Sequence, residues 1–219
     1  MSIQKNSRGK LQANGNLLTK IRKKDLMKIF FDTEFTGLHK DTTLVSIGFV
    51  SEDNRKFYAE LTDYNGEQCD DWIKENVLDH LYRNTYTVNN QYIPNYHVGD
   101  KDDIGLALQN WFTQFDSVEL VSDVSHYDMV LLIDLFGGAF QLPKNVCPAC
   151  YDINQDIARK YNLTLQEAFD KSREEILYNA YKDQAVTGDK HNSLYDAKVI
   201  RELYQILNGV DFDKKNNQK

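Results

Sequence analysis

The sequence has no long hydrophobic run and only a few cysteines. Its longest apolar stretch, Met129 to Phe140, is interrupted by Asp134 and two glycines. It falls far short of the ~20 residues that a membrane-spanning helix needs. The N-terminus is polar and has no apolar segment of the kind that secretory signals contain. Three cysteines, a small and odd number, are typical of free thiols in a reducing compartment. We therefore expect a soluble, cytoplasmic protein.

Two of the cysteines form a Cys-x-x-Cys motif, Cys147-Pro-Ala-Cys150. A structural zinc site needs four ligands, and the only other thiol is Cys69, with no second Cys-x-x-Cys or paired histidines. A redox role would require a helix N-terminus in a thioredoxin-like context. We expect both cysteines to be free and to lie in a loop.

The charge is unevenly distributed along the 219 residues, of which 41% are apolar. Residues 1–28 hold eight Lys or Arg and one acid, so a segment of net charge +7 precedes a body of −14. We divide the chain into a basic, weakly ordered N-terminal arm (1–27), one folded domain (28–210) and a polar tail (211–219). Charge patterning favours a solvated arm, and contact with a polyanion is the alternative.

Hydrophobic periodicity and turn residues predict an α/β fold, a mixed sheet flanked by helices. The predicted strands are 28–35, 42–51, 56–61, 119–122 and 147–153. The predicted helices are 70–81, 102–115, 127–136, 165–181 and 193–207, with a loop at 82–100.

Two carboxylates interrupt the first predicted strand, in the stretch IFFDTEFTGL at residues 29–38. On a strand, side chains at i and i+2 point to the same face, about 6–7 Å apart. Asp32 and Glu34 therefore lie together, opposite a more apolar face. Such a pair resists burial because the two charges repel each other. A hard divalent cation between them would stabilise the pair.

Single acids recur at the N-terminal ends of two predicted helices. Asp128 is followed by leucines at i+3, i+4 and i+7, and Asp196 is followed by Val, Ile and Leu at the same offsets, which mark the apolar stripe of a helix. One acid in this position is explained by capping or by the helix dipole. Two of them, together with the pair on the strand, predict four inward-facing acids and a two-metal centre.

His191 precedes Asp196 by five residues, just before a predicted N-cap at Asn192 or Ser193. Most loop histidines are only surface residues. Beside these acids, however, His191 is suited to accept a proton from an attacking water as a general base.

Three motifs together resemble those of the DEDDh 3′→5′ exonucleases: DTEFTGL (32–38), LVSDVSHYDMVLL (120–132) and HNSLYDA (191–197). The resemblance spans about residues 28–207, and the chain looks most similar to the ribonuclease T-like exoribonuclease group, which includes phage and mycobacterial members. It implies a ribonuclease H-like fold and two Mg²⁺ or Mn²⁺ ions. It also implies that nucleoside 5′-monophosphates are released from the 3′ end of a single strand.

The resemblance also implies a role for each acid. Asp32 would bridge both ions, Glu34 and Asp196 would complete one site, and Asp128 would hold the other mainly through water. His191 would deprotonate the attacking water. Many relatives carry His-Asn where this chain has Asp123 and Val124, which leaves substrate selectivity open. Asp123 is a minor rival for metal binding, because it lies outside the apolar helix stripe.

The turn that follows the two acids, at the end of the first motif, predicts contact with the terminal nucleotide. Gly37 lets the backbone approach the substrate closely. Phe35 or Leu38 could stack against a base, and stacking tolerates any sequence. We assign Phe35, Thr36, Gly37 and Leu38 to substrate binding, with Leu38 favoured as the wedge and Phe35 equally well explained as a core residue.

Several functional alternatives remain open. We favour single-stranded RNA over single-stranded DNA, although the 2′-hydroxyl contact that would distinguish them has no assigned residue. A non-catalytic nucleic-acid-binding module on the same fold would be expected to lack one of the five residues, and all five are present. Proofreading would require a polymerase as a partner. A homodimer is expected from the resemblance alone.

Overall fold

A computed structural model describes residues 26–83, 95–182 and 190–213, together with Val186 and Gly188. The strands are β1 (Leu26–Phe35), β2 (Leu44–Ser51), β3 (Lys56–Leu61), β4 (Tyr96–Gly99), β5 (Ser117–Ser122) and β6 (Val146–Asp152). The helices are α1 (Asp71–Asn76), α2 (Lys101–Phe112), α3 (His126–Leu135), α4 (Asn154–Tyr161), α5 (Leu165–Asp170), α6 (Arg173–Tyr181) and α7 (Ser193–Asn208). Short 3₁₀ segments lie at Gly66–Gln68, Leu78–His80 and Ala139–Gln141.

The six strands form one mixed sheet in the order β4-β3-β2-β1-β5-β6. Strand β2 is antiparallel to both of its neighbours, and the β1–β5, β3–β4 and β5–β6 pairs are parallel. The predicted α/β architecture is confirmed.

Two apolar cores lie on opposite faces of the sheet. Ile29 and Phe31 of β1 pack in one core with residues of α2 and α3, such as Leu132. Phe30 packs in the other core with residues of α4 to α7, such as Ile200. Side chains alternate along a strand, so Asp32 and Glu34 continue the Phe30 face and point to the side that α7 covers.

Several predicted element assignments were wrong. The predicted helix at 70–81 is an α-helix only over Asp71–Asn76, followed by the 3₁₀ segment Leu78–His80. The predicted loop at 82–100 contains β4, a four-residue strand at the sheet edge; residues 84–94 of that loop lie outside the described part. Helix α4 was not predicted. The predicted helix at 165–181 is two helices, because Lys171 has extended backbone angles and Ser172 caps a new helix by accepting a hydrogen bond from Glu175 N.

All three cysteines are free, as expected. Cys147 and Cys150 lie on β6, however, and not in a loop. Burial raises the pKa of Cys150 to about 12, so its thiol stays protonated and unreactive at neutral pH.

The predicted arm and tail lie largely outside the described residues. Strand β1 begins at Leu26, and Phe212 is buried against Phe30 with ring centroids 5.9 Å apart. Residues on both sides of the predicted domain, Leu26 in β1 and Phe212 in the core, thus belong to the described packed structure. Within the described ranges, no helix combines the length and apolarity needed to cross a membrane.

Candidate active site at the end of β1

Three predicted metal ligands meet at the end of β1 and the start of α7. Asp32, Glu34 and Asp196 each offer a carboxylate oxygen, and these atoms all lie within 4.8 Å of one another. They line an open cavity of about 540 Å³, which His191 also lines. The structure therefore brings together residues from the first and third motifs, which are far apart in the sequence.

Close contact between β2 and α7 places Asp196 beside the two strand acids. Gly48 is the cross-strand partner of Asp32, and a Cβ atom built on Gly48 would lie 2.3 Å from the backbone nitrogen of Leu194. Two pairs along, Ser46 is the partner of Glu34, and its hydroxyl is hydrogen-bonded to that of Ser193 at 2.9 Å. Only glycine at position 48 lets the first turn of α7 approach the sheet this closely.

Asp128 lies behind this group, on the opposite face of the sheet. Its Oδ1 accepts hydrogen bonds from Thr33 N at 3.2 Å and from Thr33 Oγ1 at 2.6 Å, and its Oδ2 accepts one from the Ser122 hydroxyl. The side chain is 5% exposed. Asp128 therefore contacts the strand residue between the two acids, and it is the one predicted ligand outside the 4.8 Å cluster.

The pKa values of all four carboxylates are raised above their ordinary values. Burial, followed by repulsion from neighbouring carboxylates, raises the pKa of Asp32 and of Glu34 well above their ordinary values. Burial also raises the pKa of Asp128 to about 6 and that of Asp196 to about 7, against the opposing effect of the hydrogen bonds that each accepts. Among the described residues, no Lys or Arg forms an ion pair with any of the four.

This donor set fits a divalent metal. Several partly buried carboxylates share one site without an ion-paired Lys or Arg among the described residues to offset them, so their mutual repulsion has to be relieved by protonation or by a bound cation. Mg²⁺ and Mn²⁺ prefer oxygen ligands of this kind, and Mg²⁺ needs only one or two carboxylates besides water and substrate phosphate.

His191 is tied to the acids through its backbone. Its N–H donates to Asp196 Oδ2 at 3.0 Å, and its φ of +63° turns the chain sharply just before α7. The helix N-cap is Asn192, whose side chain accepts hydrogen bonds from Leu194 N and Tyr195 N. The imidazole meets the Trp72 ring edge-on, with centroids 5.1 Å apart. Burial, and then the positive charge of Lys190, lower the pKa of His191, which favours the neutral base.

The predicted substrate-binding turn shows different environments for its four residues. Phe35 stacks on Tyr127 with ring centroids 5.1 Å apart, and Leu38 is 80% exposed. Thr36 is buried, and its hydroxyl donates to Gln68 Oε1 at 2.6 Å, which stabilises the turn. Gly37 has a φ of +157°. Leu38 is thus the side chain that this turn exposes, and substrate binding by all four residues stays a prediction.

Asp123, the rival ligand, forms an ion pair with Arg173. Arg173 Nε donates to Asp123 Oδ2 at 2.6 Å and Nη2 donates to Oδ1 at 2.8 Å, while Asn154 Nδ2 also donates to Oδ1 at 2.6 Å. Both oxygens are thereby occupied. Asp123 lines the cavity but serves as an anchor for α6 in this structure.

Sequence reasoning did not identify several residues that shape the site: Gly48, Ser46, Thr33, Ser122, Trp72, Phe169 and Arg173. One sequence signal could have revealed the helix start that Arg173 occupies. The stretch Ser172-Arg173-Glu174-Glu175 matches the S-x-x-E start of a helix, and it would have divided the predicted helix at 165–181. Gly48 and Ser46 have no such signal, because their contacts are with α7, distant in the sequence.

Known proteins resemble this chain in sequence. Residues 27–207 match the family model of the Rv2179c-like 3′-5′ exoribonuclease domain. The chain is 32% identical over 122 residues to the 3′-5′ exoribonuclease Rv2179c of Mycobacterium tuberculosis H37Rv, an alignment that covers 55% of this chain and 67% of that protein.

Solved structures share the fold. The nuclease domain of 3′hExo, a DEDDh family member bound to rAMP, superposes with a TM-score of 0.59 at 12% identity, covering 86% of this chain and 94% of that chain. The S. pombe Pop2p structure with bound Mg²⁺ and Mn²⁺ has a TM-score of 0.55 at 15% identity, covering 85% and 84%.

The family match extends over most of the chain and includes all three motifs. It confirms the enzyme class predicted from them, a 3′-5′ exoribonuclease. The chain belongs to the Rv2179c-like family of 3′-5′ exoribonuclease domains.

Proposed function

We propose that this protein is a metal-dependent 3′→5′ exonuclease that removes nucleoside 5′-monophosphates from the 3′ end of single-stranded RNA. The observation that carries the proposal is the meeting of Asp32, Glu34 and Asp196 in one cavity, with His191 attached to Asp196. A non-catalytic binding module would have no need for several carboxylates crowded against their mutual repulsion.

The ligands of two Mg²⁺ or Mn²⁺ ions would be Asp32, Glu34 and Asp196. Asp128, which is hydrogen-bonded to Thr33, would contribute from outside this cluster. Such a pair of ions supplies stabilisation of the charge on the attacking and leaving oxygens of a phosphodiester. The hydrogen bonds to Asp128 from Thr33 and Ser122 fix its orientation, and orienting partners of this kind commonly govern metal affinity.

His191 is the proposed general base. Its lowered pKa keeps the imidazole neutral at neutral pH, so it can accept a proton from the water that attacks the phosphorus. The Asp196 carboxylate accepts the His191 backbone N–H, which holds the residue at the edge of the acids. The Trp72 ring restricts the imidazole from the other side.

RNA is the favoured substrate because the relatives that match the sequence are named as exoribonucleases. A variant of the proposal has single-stranded DNA as the substrate. The body of the protein is acidic, so the ions have to offset the repulsion of the phosphate backbone.

Cleavage of end-labelled oligoribonucleotides and oligodeoxyribonucleotides of the same sequence tests the proposal. We expect stepwise shortening of RNA from the 3′ end with Mg²⁺ or Mn²⁺, release of 5′-monophosphates, and no cleavage in EDTA or by Asp32→Ala. Faster cleavage of DNA would reverse the substrate preference. A purified protein that binds RNA but cleaves neither substrate with either metal would contradict the proposal.

A further inference from the structure

Phe169 is an exposed aromatic residue beside the acids. It lies at the end of α5, its side chain is 56% exposed, and it lines the same cavity as Asp32, Glu34 and Asp196. Exposing a phenyl ring to water is unfavourable, and here the ring borders a cavity that the acids line together with basic, aliphatic and other aromatic side chains. Another apolar residue of the same helix, Leu165, is 63% exposed and does not line this cavity.

A single arginine fixes the backbone that carries Phe169. Arg173 Nη1 donates to three carbonyl oxygens of the corner between α5 and α6, those of Ala168 at 2.8 Å, Phe169 at 3.1 Å, and Lys171. Helix α5 ends at this corner, where the last carbonyls of a helix lack the usual i+4 partners, and Ala168 O also accepts the backbone N–H of Lys171 at 3.3 Å. The arginine therefore stabilises the corner in the conformation that directs Phe169 to the cavity.

The rest of the same guanidinium is anchored to the sheet. Nε and Nη2 donate to the two oxygens of Asp123, which follows β5, and Nη2 also donates to Asn154 Oδ1 at 2.7 Å. Both partners of the ion pair are largely buried, with side chains 15% and 19% exposed. Because its N–H groups are occupied in this way, Arg173 has no pair of donors left to bind a substrate phosphate. Its role is to position the corner between α5 and α6.

We infer that Phe169 is a stacking platform for a base of the single-stranded substrate, and that Asp123 and Arg173 are the residues that position it. A base stacked there would lie next to the carboxylates that face the scissile phosphate. Stacking on an aromatic ring tolerates every base, which suits an enzyme that shortens strands of mixed sequence. The inference rests on the proposed nuclease function of the same cavity.

Asp123 takes this positioning role directly after β5. Its carboxylate matches the guanidinium in a bidentate pair that an amide or imidazole would not reproduce. Asp123→Asn is therefore expected to weaken substrate binding by loosening the corner, and to do so only while Phe169 is present.

Steady-state cleavage of a labelled oligoribonucleotide by Phe169→Ala, Phe169→Tyr and Leu165→Ala tests the platform. Loss of stacking is worth about a fivefold to hundredfold change in binding. We expect KM of Phe169→Ala to rise within that range with kcat little changed, while Phe169→Tyr and Leu165→Ala behave like the wild type. On an oligonucleotide whose 3′-terminal residues are abasic, the Phe169→Ala penalty should disappear.

The double variant Asp123→Asn/Phe169→Ala tests the positioning role. We expect its KM to equal that of Phe169→Ala, because the corner then has no ring to position. If the two substitutions instead raised KM independently of each other, Asp123 would have a general structural role, and this part of the inference would be overturned.

Failure of the platform is distinguishable from failure of the proposed function. An active wild type whose KM is unchanged by Phe169→Ala, or raised equally by Leu165→Ala or on abasic substrate, rejects the platform and leaves the nuclease intact. A wild type that releases no nucleotide rejects the nuclease itself.

Discussion

Gly48 and Leu194 approach each other so closely that a Cβ atom on Gly48 would lie 2.3 Å from the Leu194 backbone nitrogen. This contact joins the strand that pairs with the Asp32–Glu34 end of β1 to the helix that carries Asp196. The distance between acids from the first and third motifs therefore depends on the absence of a side chain at position 48.

Gly48→Ala should displace the start of α7. Because the atoms that would be hit are backbone, the helix has to move, and we expect a loss of about 1–3 kcal/mol in the free energy of unfolding. The nuclease activity should fall by more than the loss of folded protein accounts for, because Asp196 and His191 move with the helix.

Gly66→Ala is the matched control for that change. A Cβ atom there would meet nothing closer than 3.9 Å. Urea unfolding and nuclease assays on both variants check the expectation, and equal behaviour of the two would show that the contact at Gly48 is unimportant.

Thr33→Val tests the link between Asp128 and the strand acids. The substitution keeps the shape of the side chain but removes the hydroxyl that donates to Asp128 Oδ1 at 2.6 Å. Loss of such an orienting partner commonly lowers metal affinity or activity about 10–100-fold. The metal concentration that gives half-maximal activity should rise accordingly.

Thr113→Val serves as the comparison, because Thr113 is exposed and its hydroxyl donates to Asn110 O at the end of α2. An unaltered metal dependence in Thr33→Val would mean that Asp128 does not contribute through this contact.

Metal-free protein should lose stability as the pH rises. The folded-state pKa of Asp128 is raised to about 6 and that of Asp196 to about 7, above the ordinary value of 3.8. A raised pKa means that the folded state binds more protons, so the stabilisation is complete below about pH 4 and is lost as the pH passes through about 6 to 7. Melting temperatures measured in EDTA across this range should therefore decline.

Mn²⁺ should reverse that decline, because the ion binds the ionised carboxylates and stabilises the folded state. Asp196→Asn should flatten the decline in EDTA, since one of the titrating groups is gone. A metal-free melting temperature that increases between about pH 5 and pH 8 would contradict the burial of these charges.

His191→Ala should separate catalysis from metal binding. Removing a general base commonly costs about 10²–10⁴ in kcat. The metal ligands remain, so the increase in melting temperature on adding Mn²⁺ should persist, and circular dichroism should match the wild type. Full activity of the purified variant would eliminate His191 as the base.

The sequence was informative where a residue violated a local pattern. Asp32 and Glu34 stand out in a β-strand, and Asp128 stands out at the head of a leucine stripe, because burying unpaired charge is costly. These violations, read together with the motif order, predicted the acid cluster, whereas the mixed sheet was predicted from hydrophobic periodicity and turn residues.

Other features could not be found in this way because they depend on contacts between distant segments. Gly48 looks like any glycine in a strand until α7 lies on it. Strand β4 has four residues and gains its hydrogen bonds from β3, so its own sequence carries almost no signal. Arg173 lies at the start of α6, and its partner Asp123 follows a strand that is distant in the sequence.

Divalent ions are predicted to bind between Asp32, Glu34 and Asp196, with Asp128 nearby. Anomalous diffraction from crystals soaked with Mn²⁺ tests this prediction most directly, with Asp32→Asn crystals as the control. We predict anomalous peaks within coordination distance of these carboxylates in the wild type and their loss in the variant. A wild-type map without such peaks, from a protein that still degrades RNA, would contradict the account.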